Sequence, residues 1–192
     1  IAECLVGSEM CIRDSYPLVD SSEKVTVATT RPETMFGDMA VAVNPKDKRY
    51  QKFIGKYVEL PFVGRKIPIL GDDYVDMEFG TGCLKITPGH DFNDYEIGKK
   101  YALHLINDTI ETSKEAEKFE PINIFTDEAF TNDEVPKDFA NLDRFKVRKV
   151  VIEKLKEKDL LAKEEKHIIS VPRGERSNTV SYTHLRAHET FR

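Results

Sequence analysis

Asp91 and Asp94 stand three residues apart within the run Gly80 to Glu96, GTGCLKITPGHDFNDYE. On a helix that spacing turns two side chains to the same side. Two carboxylates on one small surface can hold a cation or accept from a hydroxyl through charge-assisted hydrogen bonds. The plainer account is capping, because acidic groups at a helix N-terminus are favoured by the macrodipole and by its unpaired N–H groups. Lys85 alternates with Leu84 and Ile86 and shares the opposite strand face with Thr87, a placement that either offers a cation to a site or merely solvates an edge. Thr29, Thr30, Arg31 and Thr34 cluster at a strand end and the turn after it, where hydroxyls and backbone can surround a small polar ligand. His90 adjoins the start of the same helix as the acidic pair. Imidazole titrates near neutral pH, yet a lone histidine there takes a supporting role.

Other chemistries find less. Gly80, Gly82 and Gly89 match neither GxGxxG nor GxxxxGK[ST], so they serve turns rather than phosphates. Cys83 lies inside an apolar strand with no histidine base near it in sequence, which makes it a packing residue. The three cysteines show no CxxC pair, and neither a zinc site nor a disulfide framework follows, so no metal is expected. A formal net charge of −5 over 192 residues argues against broad affinity for a polyanion, since such affinity comes from neutralising phosphates with Lys and Arg. No run of eighteen apolar residues is present, and a cytoplasmic protein with no membrane partner is expected.

The elements that must position these residues follow from periodicity and punctuation. Lys24 to Thr30 (KVTVATT) alternates and is β-branched, a strand that stops at Arg31-Pro32. Pro32 suits the first position of a short helical turn. Strands are predicted over 40–43, 57–60, 66–70 and 83–87, with a short helix across 48–54. A helix is placed from about Asp91 to Tyr101, and another from an Asp143 cap to about Lys158 with Phe145, Val150, Val151 and Leu155 on its apolar face. Residues 110–141 read as a long polar connection with one short element, and 167–171 as the last strand. Residues 4–15 (CLVGSEMCIRDS) and 181–190 (SYTHLRAHET) resemble translated adapter sequence and are set aside. The resulting division is a flank over 1–16, one domain over 17–180 and a flank over 181–192, in the mixed α/β class.

Two segments, ATTRPETMFGD (28–38) and GTGCLKITPGHDFNDYE (80–96), resemble the two signatures of the editing domain shared by valyl-, isoleucyl- and leucyl-tRNA synthetases. KITP followed by HDFNDY is similar to the valyl form. So are AVAVNPKDKRY, IGKYVELP and the closing SVPRGERSNTV, which carry the resemblance from about Val25 to Val180. The resemblance implies a compact β-barrel-like core of mixed strands with surrounding helices, and hydrolysis of threonine wrongly esterified to tRNA(Val). It implies catalytic roles for Asp94 and Thr87, with Asp94 holding the amino acid's ammonium. Asp91 would accept from the threonine hydroxyl, and Thr29, Thr30, Arg31, Thr34, Lys85 and His90 would line the substrate site, the cations facing the terminal adenosine or its phosphates. It further implies the tRNA 3′ end and the catalytic domain of the same parent chain as partners, with no DNA. No cofactor is needed for editing. ATP and Mg²⁺ would serve only the parent's synthetic site, whose His-Ile-Gly-His and Lys-Met-Ser-Lys-Ser signatures are absent here. The alternatives are an isoleucyl- or leucyl-type editing domain, a free-standing deacylase, and a non-catalytic module that positions an RNA end.

Overall fold

The computed structural model describes residues 5–103 and 119–171, with side chains described over 10–103 and 119–165. Two sheets carry the architecture. The first is antiparallel and runs β2–β1–β7, from β1 (Leu5–Pro17), β2 (Lys24–Thr29) and β7 (Leu161–Val171). The second runs β4–β5–β3–β6, from β3 (Ala40–Val43), β4 (Tyr57–Glu59), β5 (Lys66–Gly71) and β6 (Cys83–Ile86). Within it β3 and β5 are parallel and the other pairs antiparallel. Helices α1 (Phe92–Lys100) and α2 (Arg144–Glu157) complete the mixed α/β fold. The expected barrel-like core is not a closed barrel. Closure requires every strand to be paired on both sides, whereas β2, β7, β4 and β6 each remain at a sheet edge among the described residues.

The second sheet separates two apolar clusters. Alternation along β3 sends Val41 and Val43, with Cys83 of β6, into the larger cluster beside Tyr16, Val25, Val27, Phe36 and Val151. Ala40, Ala42 and Ile86 enter the smaller one with Met39 and Ile97. Lys85 pairs with Val41 across the ladder, so the pleat aims it toward the larger cluster, where an unpaired ammonium would be costly.

Several expectations shift by a few residues, each for a local reason. Helix α2 buries Val147, Val151 and Leu155, a stripe of fourfold spacing, which leaves Phe145 on the outside at 56% exposed. The predicted helix over 48–54 is a 3-10 turn, Gln51–Phe53. Strand β7 begins at Leu161 rather than His167, because residues with charged side chains continue its pairing with β1, Arg13 meeting Glu165 at 3.0 Å. Charged edge residues of this kind mask a strand in sequence. Of the connection 110–141, the described part is folded rather than loose. Its 3-10 turn Lys137–Phe139 sets Phe139 against Phe36 with ring centroids 4.7 Å apart. The segment 4–15, set aside in sequence, supplies most of β1, and its Ile12 is fully buried. Residues 181–190 lie outside the described residues.

Candidate active site

The chain between β2 and β3 brings one carboxylate inward. Thr29 Oγ1 accepts from the Arg31 N–H at 3.0 Å and closes the bend, while Thr30 sits partly exposed within it. Pro32 then opens a 3-10 turn, Pro32–Gly37, as its fixed φ and missing N–H favour. Met35 and Phe36 anchor this turn in the core, and the Asp38 N–H caps it on Met35 O at 3.0 Å. Arg65 Nη2 donates to the carbonyls of Phe36 (2.7 Å) and Asp38 (3.0 Å), fixing the exit. The Asp38 side chain is left with no solvent exposure.

Its carboxylate meets Lys85. The Lys85 ammonium donates to Asp38 Oδ1 at 2.7 Å, to Thr87 Oγ1 at 2.6 Å and to Thr34 Oγ1 at 2.9 Å. Thr87 donates its own hydroxyl to the same Asp38 oxygen at 2.6 Å, and Tyr16 donates to Asp38 Oδ2 at 2.7 Å. Burial of a lysine is tolerable only with a counter-charge and satisfied donors. Lys85 has both, and at 7% exposed it is no solvating side chain. Burial first, and then the charge of Asp38, push the Tyr16 phenol well above its usual range, so it stays a neutral donor. Asp14, also fully enclosed, faces the same group. Both of its oxygens are buried without a hydrogen bond, and burial pushes its carboxyl up to about 7 against the pull of Lys85.

The acidic pair occupies the start of α1. Asp91 is the N-cap, extended at φ −149°, and its Oδ1 accepts from the N–H groups of Asn93 (2.9 Å) and Asp94 (3.2 Å). Asp94, in the first turn and 8% exposed, accepts the Thr87 N–H through Oδ2 at 2.8 Å. Burial first, and then the neighbouring charge of Asp91, push the Asp94 carboxyl up to about 7. Lys85 pulls it down and Asp38 pushes it up, so all these charges act in one small field. Capping and a paired acidic surface coexist on the same two residues.

Arg31 and His90 adjoin the cluster. Arg31 Nη1 donates to the His90 carbonyl at 3.0 Å, and its guanidinium is lowered in pKa, by burial first. Glu33, buried beneath, meets Arg148 Nε at 3.1 Å and Arg31 Nε at 3.9 Å. His90 accepts the Ile124 N–H on Nε2 at 3.3 Å and sets its ring edge against Phe125, which ties the segment after residue 119 to the site. Gly89 lies so close to that segment that a Cβ would stand 2.3 Å from Ile122 O. Burial pushes the Cys83 thiol up to about 12, and a thiol so held is a poor nucleophile.

Thr34, Lys85, Thr87 and Asp94 thus form one bonded chain of groups, with Asp91, Arg31 and His90 beside it. Sequence inspection did not single out Asp38, Tyr16, Glu33 or Arg148. A signal for Asp38 was present, since a lysine on the inner side of a buried strand demands a nearby acid, and Asp38 closes the ATTRPETMFGD run. A surface depression lined by Phe62, Pro136, Phe139, Lys154 and Lys158 contains none of these groups. Among the described residues, no three His, Cys, Asp or Glu side chains are grouped to hold a metal ion, and no helix is long and apolar enough to cross a membrane.

Residues 46–156 match the family model described as "Leucyl-tRNA synthetase, editing domain". The chain is also 48% identical over 170 residues to a valine–tRNA ligase of Francisella tularensis subsp. tularensis, a match covering 88% of this chain and 17% of that protein. It is 49% identical over 165 residues to the valine–tRNA ligases of Pelagibacter ubique and Coxiella burnetii, covering 86% of this chain and 17% and 16% of theirs. The chain therefore spans about a sixth of the length of these relatives. A family match over more than half its residues, together with valine-enzyme relatives at nearly half identity, shows that the chain belongs to the aminoacyl-tRNA synthetase editing-domain family, in its valyl-type branch.

Proposed function

We propose that this domain hydrolyses the ester joining threonine to the 3′ end of tRNA(Val), within a longer synthetase chain whose catalytic domain makes the aminoacyl ester. The observation that carries this is Asp94: a buried carboxylate, oriented by the Thr87 N–H and raised to about 7 by burial and by Asp91. A carboxylate so poorly solvated gains strongly from an arriving ammonium, and the free ammonium of an aminoacyl ester is such a partner. Asp91, beside it, is the acceptor for the threonine hydroxyl. Valine has no hydroxyl to donate to it and gains nothing there, so the correct product is spared.

Such a site answers a known difficulty, for which the valine enzyme is itself the usual worked example: an apolar pocket rejects the isosteric threonine by only about 10². Ester hydrolysis then needs an oriented water and stabilisation of the developing oxyanion. We assign no protein nucleophile and no cofactor. Asp94 fixes the ammonium, Thr87 and Thr34 offer polar contacts, and a neighbouring ribose hydroxyl directs the water. Asp94→Ala is expected to lower deacylation of threonyl-tRNA(Val) by at least about 10²-fold, measured as release of labelled threonine. Full activity in that variant would refute the assignment.

A further inference from the structure

Counting protons in the buried cluster gives Asp38 a function of its own. Lys85 has three N–H donors and three acceptors in contact: Asp38 Oδ1, Thr87 Oγ1 and Thr34 Oγ1. Thr87 spends its single hydroxyl proton on Asp38 Oδ1, and Thr34 spends its own on the Arg31 carbonyl at 2.9 Å. Every donor in the trio is committed. Each threonine oxygen accepts from Lys85 and keeps one lone pair.

The direction of this network is set by one group. Asp38 Oδ1 is an acceptor only, so it draws one proton from Lys85 and one from Thr87. Oδ2 is held by Tyr16 from β1 at 2.7 Å, and the Asp38 backbone by Arg65 at 3.0 Å. Without that acceptor, Thr87 would be free to rotate its hydroxyl proton elsewhere, and the Lys85 ammonium would have a donor to spare. Groups held by buried partners keep geometry that exposed ones lose.

We propose that Asp38 is a positioning residue for the reaction: by holding Lys85 and Thr87 it keeps the threonine oxygens as acceptors, matching a substrate that arrives with ammonium and hydroxyl donors. Lys85 then acts as an internal brace and makes no phosphate contact. The assignment of substrate donors rests on the deacylase function above, while the hold of Asp38 on Lys85 does not. Asp38→Asn keeps the shape and removes the charge that draws both protons.

The test uses the full chain with threonyl-tRNA(Val), and Asp94→Ala as a control. Asp38→Asn is expected to lower kcat roughly 10²-fold with KM within about twofold, the mark of misplaced rather than missing groups. In parallel, a ¹H–¹⁵N correlation of lysine ammonium groups should show Lys85 as a slowly exchanging signal in the parent and not in Asp38→Asn. Unchanged kcat, or a persistent Lys85 signal in the variant, overturns the role of Asp38. A parent chain without deacylase activity sinks the hydrolytic function instead, and the ammonium signal still decides the brace. Should Asp38→Asn not fold, Tyr16→Phe is read in its place: a fall in kcat of roughly fivefold at constant KM supports the role, and no change defeats it.

Discussion

At the scale of single residues, Asp94 carries the most consequence. A carboxyl near 7 is half protonated at neutral pH, and only its ionised form pairs with an ammonium. In the free enzyme, kcat/KM for threonyl-tRNA(Val) should therefore rise with pH through about 7, since that ratio reports ionisations of the unliganded site. Asp94 is the group to test by rate measurements from pH 5.5 to 8.5. A profile flat across that interval would count against Asp94 as the ammonium partner. Lys85 teaches the complementary point, that a charge on a buried strand face is paired before it is available to a ligand.

At the scale of elements, the N-terminus of α1 carries two tasks on Asp91, and they can be separated. Asn caps a helix as well as Asp does, while Ala loses about 1 kcal/mol. Asp91→Asn should leave the unfolding midpoint near the parent and still erode the preference for threonyl over valyl ester. Asp91→Ala should lose both. Equal selectivity in all three proteins would return Asp91 to capping alone. The helix itself was legible, its predicted span of 91–101 lying within a residue of Phe92–Lys100 at either end. The reason is strong local punctuation: Pro88-Gly89 before it, an acidic cap, and Lys99-Lys100 in its last turn. Strand β7 was only half legible, because the consecutive charges Lys163 to Lys166 on an edge strand carry no apolar period.

At the scale of the whole molecule, the buried acids shape stability. Asp94 and Asp14 both sit near 7 and Glu33 is raised, in each case by burial first. A raised carboxyl means that the folded state binds more protons than the unfolded state between the unfolded value of about 4 and the folded one. Stability contributed by these groups is therefore present below about pH 4 and is lost as pH climbs toward 7. Asp47, lowered by its hydrogen bonds to Arg49, works the other way and withdraws stability only under acid conditions. Midpoints of urea unfolding should fall between pH 5 and pH 8, with a shallower slope in Asp14→Val and Asp94→Asn. A midpoint that climbs over that interval would contradict the burial of these acids.

The sequence by itself determined the mixed α/β class, most element positions and the two segments that hold the site, because turns, caps and alternation are local signals. It also placed Thr34, Lys85, Thr87, Asp91 and Asp94 on those segments and Lys85 on the same strand face as Thr87. Tertiary structure alone decided that both faces of β6 would be buried, that its lysine would be met by Asp38 from 47 residues away in sequence, with Tyr16 holding the other oxygen of that acid, and that the sheets would stay open. The pairing of acid and lysine depends on how the turn between β2 and β3 packs against β6. A hydrogen bond between a turn and a distant strand leaves no period in the sequence of either, only an acid and a lysine that each need the other once water is gone.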